Sequence, residues 1–259
     1  MKNLKPDDEY SSMLGQQFIN ASAGAINDYL KDLTLEINIR LNPSDEILEI
    51  GAGAGTSSIF LKSRKITMTD LLFTGNSSVF SGVDAHNLPF PDHHFNSSFA
   101  IDALHHLANP FLCISEMMRV IKPGGKVIFI EPYVSIFSYP VYKLFHPEVT
   151  TIRLHKAYFL RNQKAASEGN QVICQAIFRH KSFRQEINRA IDNSSKVEIH
   201  YRDVLAFFLT GGINNPLPTN PRFLNKVLSL EKRLPRIICK WFGSRMVVVI
   251  TKRDLEINE

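Results

Sequence analysis

The stretch from Glu46 to Ser58, EILEIGAGAGTSS, constrains the fold more than any other part of this 259-residue chain. A short apolar run with turn residues on both sides predicts a buried parallel strand. The next segment, GTSSIFLKSR, predicts a helix because hydroxyl side chains can begin it and basic residues can end it. Gly51, Gly53 and Gly55 therefore predict a strand-to-helix turn whose backbone can approach a ligand closely.

The spacing of the glycines separates two classes of ligand. Nucleotide-binding turns that hold a nicotinamide cofactor follow the pattern GxGxxG, whereas Gly51, Gly53 and Gly55 follow GxGxG. A second predicted strand, KITMTD, ends in Asp70, 19 residues after Gly51, where a carboxylate can accept both hydroxyls of a ribose. The glycine turn alone also fits a purely structural contact between helix and strand. The motifs that follow it are therefore needed to show whether it binds a ligand.

Three further motifs come in order: DAHNLPFPDHHF, ALHHL and EMMRVIKPGGKV. With these motifs, the chain from about Pro43 to Pro132 resembles the class I S-adenosylmethionine (SAM)-dependent methyltransferases, in the branch that includes quinone and small-molecule methyltransferases. The resemblance implies an α/β, Rossmann-like, doubly wound fold with a seven-stranded, mostly parallel sheet, an antiparallel last strand and helical cap insertions. It also implies SAM as the cofactor.

The resemblance assigns cofactor contacts to particular residues. Gly51, Ala52, Gly53 and Gly55 are implied to line the methionine part of SAM, and Glu49 to hold the loop and the amino group. Asp70 is implied to bind the ribose, with Leu71 packed on the adenine face.

Further along the chain, Asp84 is implied to accept a hydrogen bond from the adenine amino group, and Ala85 to offer its backbone N–H beside it. Asp102 is implied to face the ligand crevice at the end of the fourth strand. Each of these carboxylates has the alternative of a loop-capping or solvated group. One departure from the family pattern is Asn96, which stands where the family usually has an acid and which affects a local structural contact.

We expect a single domain with four parts. Residues 1–42 form an N-terminal helical lid with a helix from about Gly15 to Leu33, residues 43–132 the SAM-binding core, residues 133–195 a cap insertion, and residues 196–259 the last two strands with a second insertion. KVEIHYRD and RMVVVITKR are the predicted last strands. Insertions after strands are well placed to cover a crevice at the carboxyl ends of a parallel sheet.

Charge divides the chain into two unlike halves. Residues 1–150 carry 11 Lys+Arg and 16 Asp+Glu, and residues 151–259 carry 19 and 9, so the halves have net charges of −5 and +10. A basic half can steer an acidic acceptor, rest near anionic lipid, or be a solvated face, and these alternatives stay open. The charges first expected on one face of the cap are Arg153, Lys156, Arg161 and Lys164.

Other function classes have less support in the sequence. The N-terminus lacks the apolar region of a signal peptide and no stretch reaches the length of a membrane span, so we expect a cytoplasmic protein. Cys113, Cys174 and Cys239 lie far apart without CxxC pairing, which predicts buried thiols and no metal site. Nucleic-acid binding has only the basic half in its favour, and we expect no nucleic-acid partner.

The histidine pair in ALHHL is the candidate for acid–base chemistry. It follows the fourth strand, where sulfonium and acceptor meet in the family that the chain resembles. We expect His105 to face the acceptor and His106 to support it through a hydrogen bond. Two alternatives stay open: His105 acts as a general base, or neither histidine takes a proton and catalysis is by positioning alone. His146 and His155 in the cap are weaker candidates.

The function that follows is a SAM-dependent methyltransferase that acts on a small-molecule acceptor, with O- or C-methylation favoured. Two alternatives stay open. In the first, the acceptor is lipid-linked or amphiphilic, and peripheral membrane contact is then expected. In the second, the chain is a SAM-fold protein that binds a ligand or partner without turnover.

Overall fold

The computed structural model describes residues 8–62, 64–145, 148, 150–152, 169–192 and 195–254. The seven strands are β1 Glu46–Ile50, β2 Lys65–Asp70, β3 Val79–Ser81, β4 Phe95–Ile101, β5 Ile121–Pro132, β6 Lys196–Arg202 and β7 Arg245–Thr251. The α-helices are α1 Asp8–Ala21, α2 Gly24–Asn38, α3 Ser57–Phe60, α4 Pro110–Val120, α5 Ser138–Phe145, α6 Ile173–Arg179, α7 Arg184–Ile191, α8 Ala206–Thr210, α9 Pro221–Glu231 and α10 Arg236–Phe242. Short 3₁₀ turns cover Leu104–His106 and Lys181–Phe183.

The strands form one sheet in the order β3-β2-β1-β4-β5-β7-β6. The first five strands are parallel, and β7 lies antiparallel between β5 and β6. The expected seven-stranded, mostly parallel sheet with an antiparallel last strand is therefore confirmed. The order reverses at β1, so the carboxyl ends of β1 and β4 border the crevice where open α/β sheets bind ligands.

Both faces of the sheet are buried, which explains the continuous apolar runs in β5 and β7. Successive residues of β5 point to opposite sides: Phe129 belongs to the core beneath α4, α6 and α7, and Ile128 to the core beneath α2, α8 and α9. The sheet is thus packed between two apolar layers, and the polar residues described below lie at the ends of its strands.

Two helix predictions have the wrong bounds. The single helix expected from Gly15 to Leu33 is two helices, because Ala23 is extended (φ −147°) and Gly24 has a left-handed φ of +65°. The helix expected over GTSSIFLKSR is the single turn α3. It ends early because Lys65 already pairs with Glu46 as the first residue of β2, which leaves few residues for a helix.

The strand expected over KVIFIEP starts earlier than the pattern predicts. β5 begins at Ile121, which pairs with Phe95, and the register shifts before Ser97 pairs with Lys126. Asn96 lies within this irregularity and accepts from the backbone N–H of Glu46 at 3.0 Å. The residue that departs from the family pattern thus makes a local contact between β1 and β4.

Helix α1 contacts both the glycine turn and the second insertion. Leu14 is buried, and its Cδ2 would lie 3.8 Å from a Cβ added at Gly53. Gln17 donates to Oδ1 of Asn214 at 2.6 Å, and Asn20 donates to the carbonyl of Ile213 at 2.8 Å. These contacts connect α1 to the segment before α9, while the expected boundaries of the lid and insertions stay predictions.

Cys113, Cys174 and Cys239 are free and buried, as expected. Across the described ranges, no helix combines the length and the apolar character needed to cross a bilayer. The cytoplasmic location stays a prediction.

Candidate functional site

The three glycines of the turn are all left-handed, with φ of +66° at Gly51, +51° at Gly53 and +71° at Gly55. Two of them also lack space for a side chain: a Cβ on Gly51 would lie 2.6 Å from Cβ of Ala103, and one on Gly55 would lie 2.7 Å from Nδ2 of Asn76. The turn therefore requires glycine both for its backbone conformation and for its packing.

Asp70 fixes the turn from the end of the neighbouring strand. Its Oδ2 accepts from the backbone N–H of Gly53 at 2.9 Å, and its Oδ1 accepts from that of Leu72 at 2.9 Å. Burial raises the pKa of Asp70, and the backbone hydrogen bonds oppose that rise. Each oxygen keeps further acceptor capacity, so the carboxylate can also receive hydroxyl donors from a ligand.

Glu49 lies beneath the turn and is almost completely buried. The hydroxyl of Ser57, the first residue of α3, donates to its carboxyl group. Burial raises the pKa of Glu49 to about 8, although the Ser57 hydrogen bond lowers it. This geometry ties β1 to α3 and supports the loop-holding part of the role expected for Glu49. Its contact with a ligand amino group stays a prediction.

The residues expected around an adenine lie on the segments after β2 and β3. Leu71 directly follows Asp70 and is 49% exposed, so an apolar side chain is available to a flat ring. Oδ1 of Asp84 accepts from the backbone N–H of His86 at 2.9 Å and lies 2.7 Å from its ring Nδ1. Burial raises the pKa of Asp84, but the contacts with His86 outweigh burial and lower it. Ala85 is buried beside it.

Asp102 stands at the carboxyl end of β4 with a left-handed φ of 51°. Its carboxylate pairs with the guanidinium of Arg245, the first residue of β7. The Arg245 guanidinium also lies 4.3 Å from the ring centre of Phe207. The sequence pattern did not predict Arg245 as a site residue, and its partner lies 143 positions away.

His105 is the buried member of the histidine pair and His106 the more exposed one, and the acceptor-facing role expected for His105 stays a prediction. His105 is 1% exposed, with Nδ1 2.6 Å from Oε2 of Glu131 and Nε2 3.1 Å from Oε2 of Glu148. Burial lowers the pKa of His105, but the charges and hydrogen bonds of Glu131 and Glu148 outweigh burial and raise it to about 10. Both ring nitrogens thus face carboxylates, which does not fit a general base near neutral pH.

The side chain of His106 is 25% exposed, and its Nε2 lies 3.5 Å from Oε1 of Glu148. Burial, followed by the charge of His105, lowers its pKa. The sequence pattern missed Glu131 and Glu148. Glu131 stood in the strand motif KVIFIEP, whereas no local pattern marked Glu148. His146, His155, Arg153, Lys156, Arg161 and Lys164 lie outside the described residues.

Known proteins share the fold and the core motifs. Residues 48–129 match the family model of the methyltransferase domain. A ubiquinone/menaquinone biosynthesis C-methyltransferase of Pseudomonas paraeruginosa is 33% identical over 100 residues, which are 39% of this chain and 37% of that protein. A 27-O-demethylrifamycin SV methyltransferase of Amycolatopsis mediterranei is 31% identical over 108 residues, 34% of this chain and 38% of that protein.

A SAM-dependent methyltransferase from Archaeoglobus fulgidus has the same fold, with a TM-score of 0.52 at 11% identity over 87% of this chain and 94% of that one. The chain spans less than two fifths of the length of the two curated relatives described above. The fold is the one found in that SAM-dependent methyltransferase, and residues 48–129 match a methyltransferase domain, as the sequence motifs predicted. S-adenosylmethionine is the cofactor of that solved protein, and it is the cofactor expected for this chain from its sequence motifs.

Proposed function

We propose that this protein transfers a methyl group from SAM to a small-molecule acceptor at oxygen or carbon. The observation that carries the proposal is the left-handed glycine turn held by Asp70, within a segment that matches the methyltransferase domain. The two curated relatives are named as a C-methyltransferase of quinone biosynthesis and a methyltransferase of a rifamycin oxygen, which supports both target atoms.

The residues of the turn fit the cofactor. Gly53 has no protein atom closer than 3.8 Å to an added Cβ, so a ligand can approach the backbone there, and Asp70 keeps acceptor capacity for ribose hydroxyls. In this proposal Leu71 and Asp84 hold the adenine, Ala85 lies beside them, and Gly51, Ala52 and Gly55 line the methionine part. Asp102 contributes at the acceptor side through its pair with Arg245.

Bound SAM supplies an electrophilic methyl group on a sulfonium. The transfer then needs the acceptor held in line at near-attack distance, an effect worth up to about 7–11 kcal/mol in well-oriented systems, and it needs water kept out. The helix α1 and the segment before α9 supply the cover on the glycine side. In this proposal His105 is not the general base, because both of its ring nitrogens face carboxylates, those of Glu131 and Glu148.

A second candidate, an amphiphilic or lipid-linked acceptor, is supported by the surface of α10. Ile237, Ile238, Trp241 and Phe242 are 36–58% exposed on this short helix. Residues 222–242 carry six basic residues and one acidic residue. Exposed aromatic and aliphatic side chains among basic ones are typical of helices that lie at an anionic membrane surface. We therefore include peripheral membrane contact in this second candidate.

The surface of α10 lies next to the edge of the sheet that bears the site. Tyr133, which directly follows β5, donates from its hydroxyl to the carbonyl of Lys240 at 2.7 Å. Three residues beyond Phe242, Arg245 pairs with Asp102. An acceptor with an apolar tail could thus remain partly in a membrane while its head reaches the site.

Methyl transfer from labelled SAM to a panel of acceptors tests the proposal. The panel contains a reduced naphthoquinone with an open ring carbon, a phenol, and long-chain versions of both. Labelled product from any of them, together with demethylated cofactor, supports an enzyme that acts on small molecules. If the protein binds SAM but no acceptor in the panel or in metabolite extracts leads to demethylated cofactor, the result would favour a binding protein without turnover.

A further inference from the structure

A cluster of four ionisable side chains lies at the carboxyl ends of β4 and β5. His105 and His106 come from the 3₁₀ turn after β4, Glu131 from the end of β5, and Glu148 from the segment after α5. One donor atom each from His105, His106 and Glu148 lie within 4.8 Å of one another. Two separate chain segments therefore bring two imidazoles and one carboxylate to a common point.

Two of the distances between these donors are close to those of ligands around a small cation. Nε2 of His105 lies 3.1 Å from Oε2 of Glu148, and Nε2 of His106 lies 3.5 Å from Oε1 of the same residue. Zinc bonds of about 2.0–2.1 Å in a tetrahedron separate the ligand atoms by roughly 3.3–3.4 Å. Small side-chain rotations would bring all three donors onto one ion.

Glu131 holds His105 in the orientation that a metal ligand needs. It is completely buried; its Oε1 accepts from the backbone N–H of Ala103 at 3.0 Å and of Leu104 at 2.8 Å, and its Oε2 faces Nδ1 of His105 at 2.6 Å. A carboxylate that receives the proton on one ring nitrogen of a histidine fixes the tautomer, and the other nitrogen is then directed at the metal. Here that other nitrogen points towards Glu148.

The packing around His106 keeps its ring in place. The two imidazole centres lie 4.2 Å apart, and a Cβ on Gly169 would lie 2.6 Å from atoms of the His106 ring. Nδ1 of His106 is buried and has no hydrogen-bond partner among the described residues. The ring is thus restrained by packing, with its Nε2 next to Glu148.

We propose that His105, His106 and Glu148 form a divalent-metal site that binds zinc, with Glu131 as the supporting carboxylate. Two imidazoles with one carboxylate suit zinc, whereas magnesium prefers oxygen ligands and water. Three protein ligands leave a fourth position open, as in catalytic zinc sites. An acceptor hydroxyl that coordinates there would lose its proton more readily, because the metal stabilises the oxyanion. This role in methyl transfer rests on the proposed function, whereas metal binding does not.

Titration of the metal-free full-length protein with Zn²⁺, and with Co²⁺ as a visible-absorbing substitute, tests the site. We expect one equivalent to bind, with the intense visible absorption of tetrahedral Co²⁺. His106→Ala and Glu148→Gln should each abolish stoichiometric binding, and Glu131→Gln should weaken it by about 10–100-fold. His180→Ala removes an exposed histidine elsewhere and should leave the affinity unchanged. Circular dichroism of each variant shows whether it has folded.

No binding, or stoichiometric binding that the His106 and Glu148 variants leave unchanged, would overturn the site and leave the cluster as ion pairs only. SAM binding by calorimetry on the same metal-free protein separates this outcome from the proposed function. Protein that binds SAM but not zinc would refute the metal site alone. Protein that binds zinc but not SAM would refute the methyltransferase proposal and leave the metal site standing.

Discussion

The backbone N–H of Gly53 donates to Oδ2 of Asp70 at 2.9 Å, so the end of β2 holds the glycine turn that follows β1. The two residues are neighbours in space because β1 and β2 are adjacent parallel strands whose carboxyl ends meet. A turn that is already fixed before a ligand arrives loses little conformational entropy on binding.

Asp70→Ala should weaken SAM binding by about 5–150-fold, which corresponds to 1–3 kcal/mol, because ribose hydroxyls lose a charged acceptor and the turn loses its anchor. Isothermal titration with SAM measures the change. Glu198→Ala, at a half-buried carboxylate of β6 that pairs with Lys196, is the control and should bind as wild type. Equal affinities of wild type and Asp70→Ala would show that Asp70 does not contact the cofactor.

Gly51→Ala should destabilise the fold more than Gly24→Ala. The two glycines have nearly the same left-handed φ, +66° and +65°. An alanine at either position therefore carries the same backbone strain, about 1–3 kcal/mol. Only at Gly51 does the added Cβ meet another atom, Cβ of Ala103 at 2.6 Å. We expect an additional loss of about 1–3 kcal/mol in the free energy of unfolding by urea. The close packing of the turn would be contradicted by equal losses at the two positions.

The pKa of Glu49 predicts a pH dependence of stability. Because burial raises this pKa to about 8, the native state holds a proton that the unfolded state has released above its ordinary value of 4.5. The free energy of unfolding should therefore fall as pH rises from about 4.5 to about 8, with a contribution of up to about 1.4 kcal/mol per pH unit.

Glu49→Gln should remove this part of the slope, as measured by urea unfolding at several pH values. Glu198→Gln changes a half-buried carboxylate of β6 whose pKa is lowered by Lys196, and it should keep the wild-type slope over this pH range. If Glu49→Gln and wild type show parallel curves over this range, the carboxyl of Glu49 titrates at an ordinary pH and its burial is not maintained in solution.

The proposed membrane contact of α10 can be tested by tryptophan fluorescence, because Trp241 is the single tryptophan of the chain. With vesicles that contain phosphatidylglycerol, its emission should shift to shorter wavelength as the indole leaves water. The shift should weaken as salt rises, because basic residues supply part of the attraction. Pure phosphatidylcholine vesicles should give a smaller shift.

Ile237→Asn should reduce this vesicle affinity, whereas Ile39→Asn, at an isoleucine that is 71% exposed at the end of α2, should not. Absence of any shift with either vesicle would remove the support for an amphiphilic acceptor. Concentration-dependent self-association that Ile237→Asn abolishes would assign the surface of α10 to contact between copies of the chain.

Local sequence was sufficient to predict the glycine turn and its position after β1. The glycine turn, Glu49 and Asp70 all lie at ends of strands that could be recognised from short apolar runs, and adjacent parallel strands bring such ends together. The order of these elements along the chain also predicted the type of sheet. Helix bounds were less well predicted, because the pairing of Lys65 with Glu46 limits α3 to one turn despite its helical pattern.

The sequence by itself thus determined the class of fold and the glycine turn after β1, since both depend on residues close together in the chain. Only the tertiary structure decided which side chains meet at the carboxyl ends of β4 and β5. His105 contacts Glu131 26 residues away and Glu148 43 residues away, and Asp102 pairs with Arg245 across 143 residues. No local periodicity encodes such pairs, because they follow from the packing of the segments after β4, β5 and α10. The sequence did not show which carboxylates face His105, and the roles expected for the two histidines stay predictions.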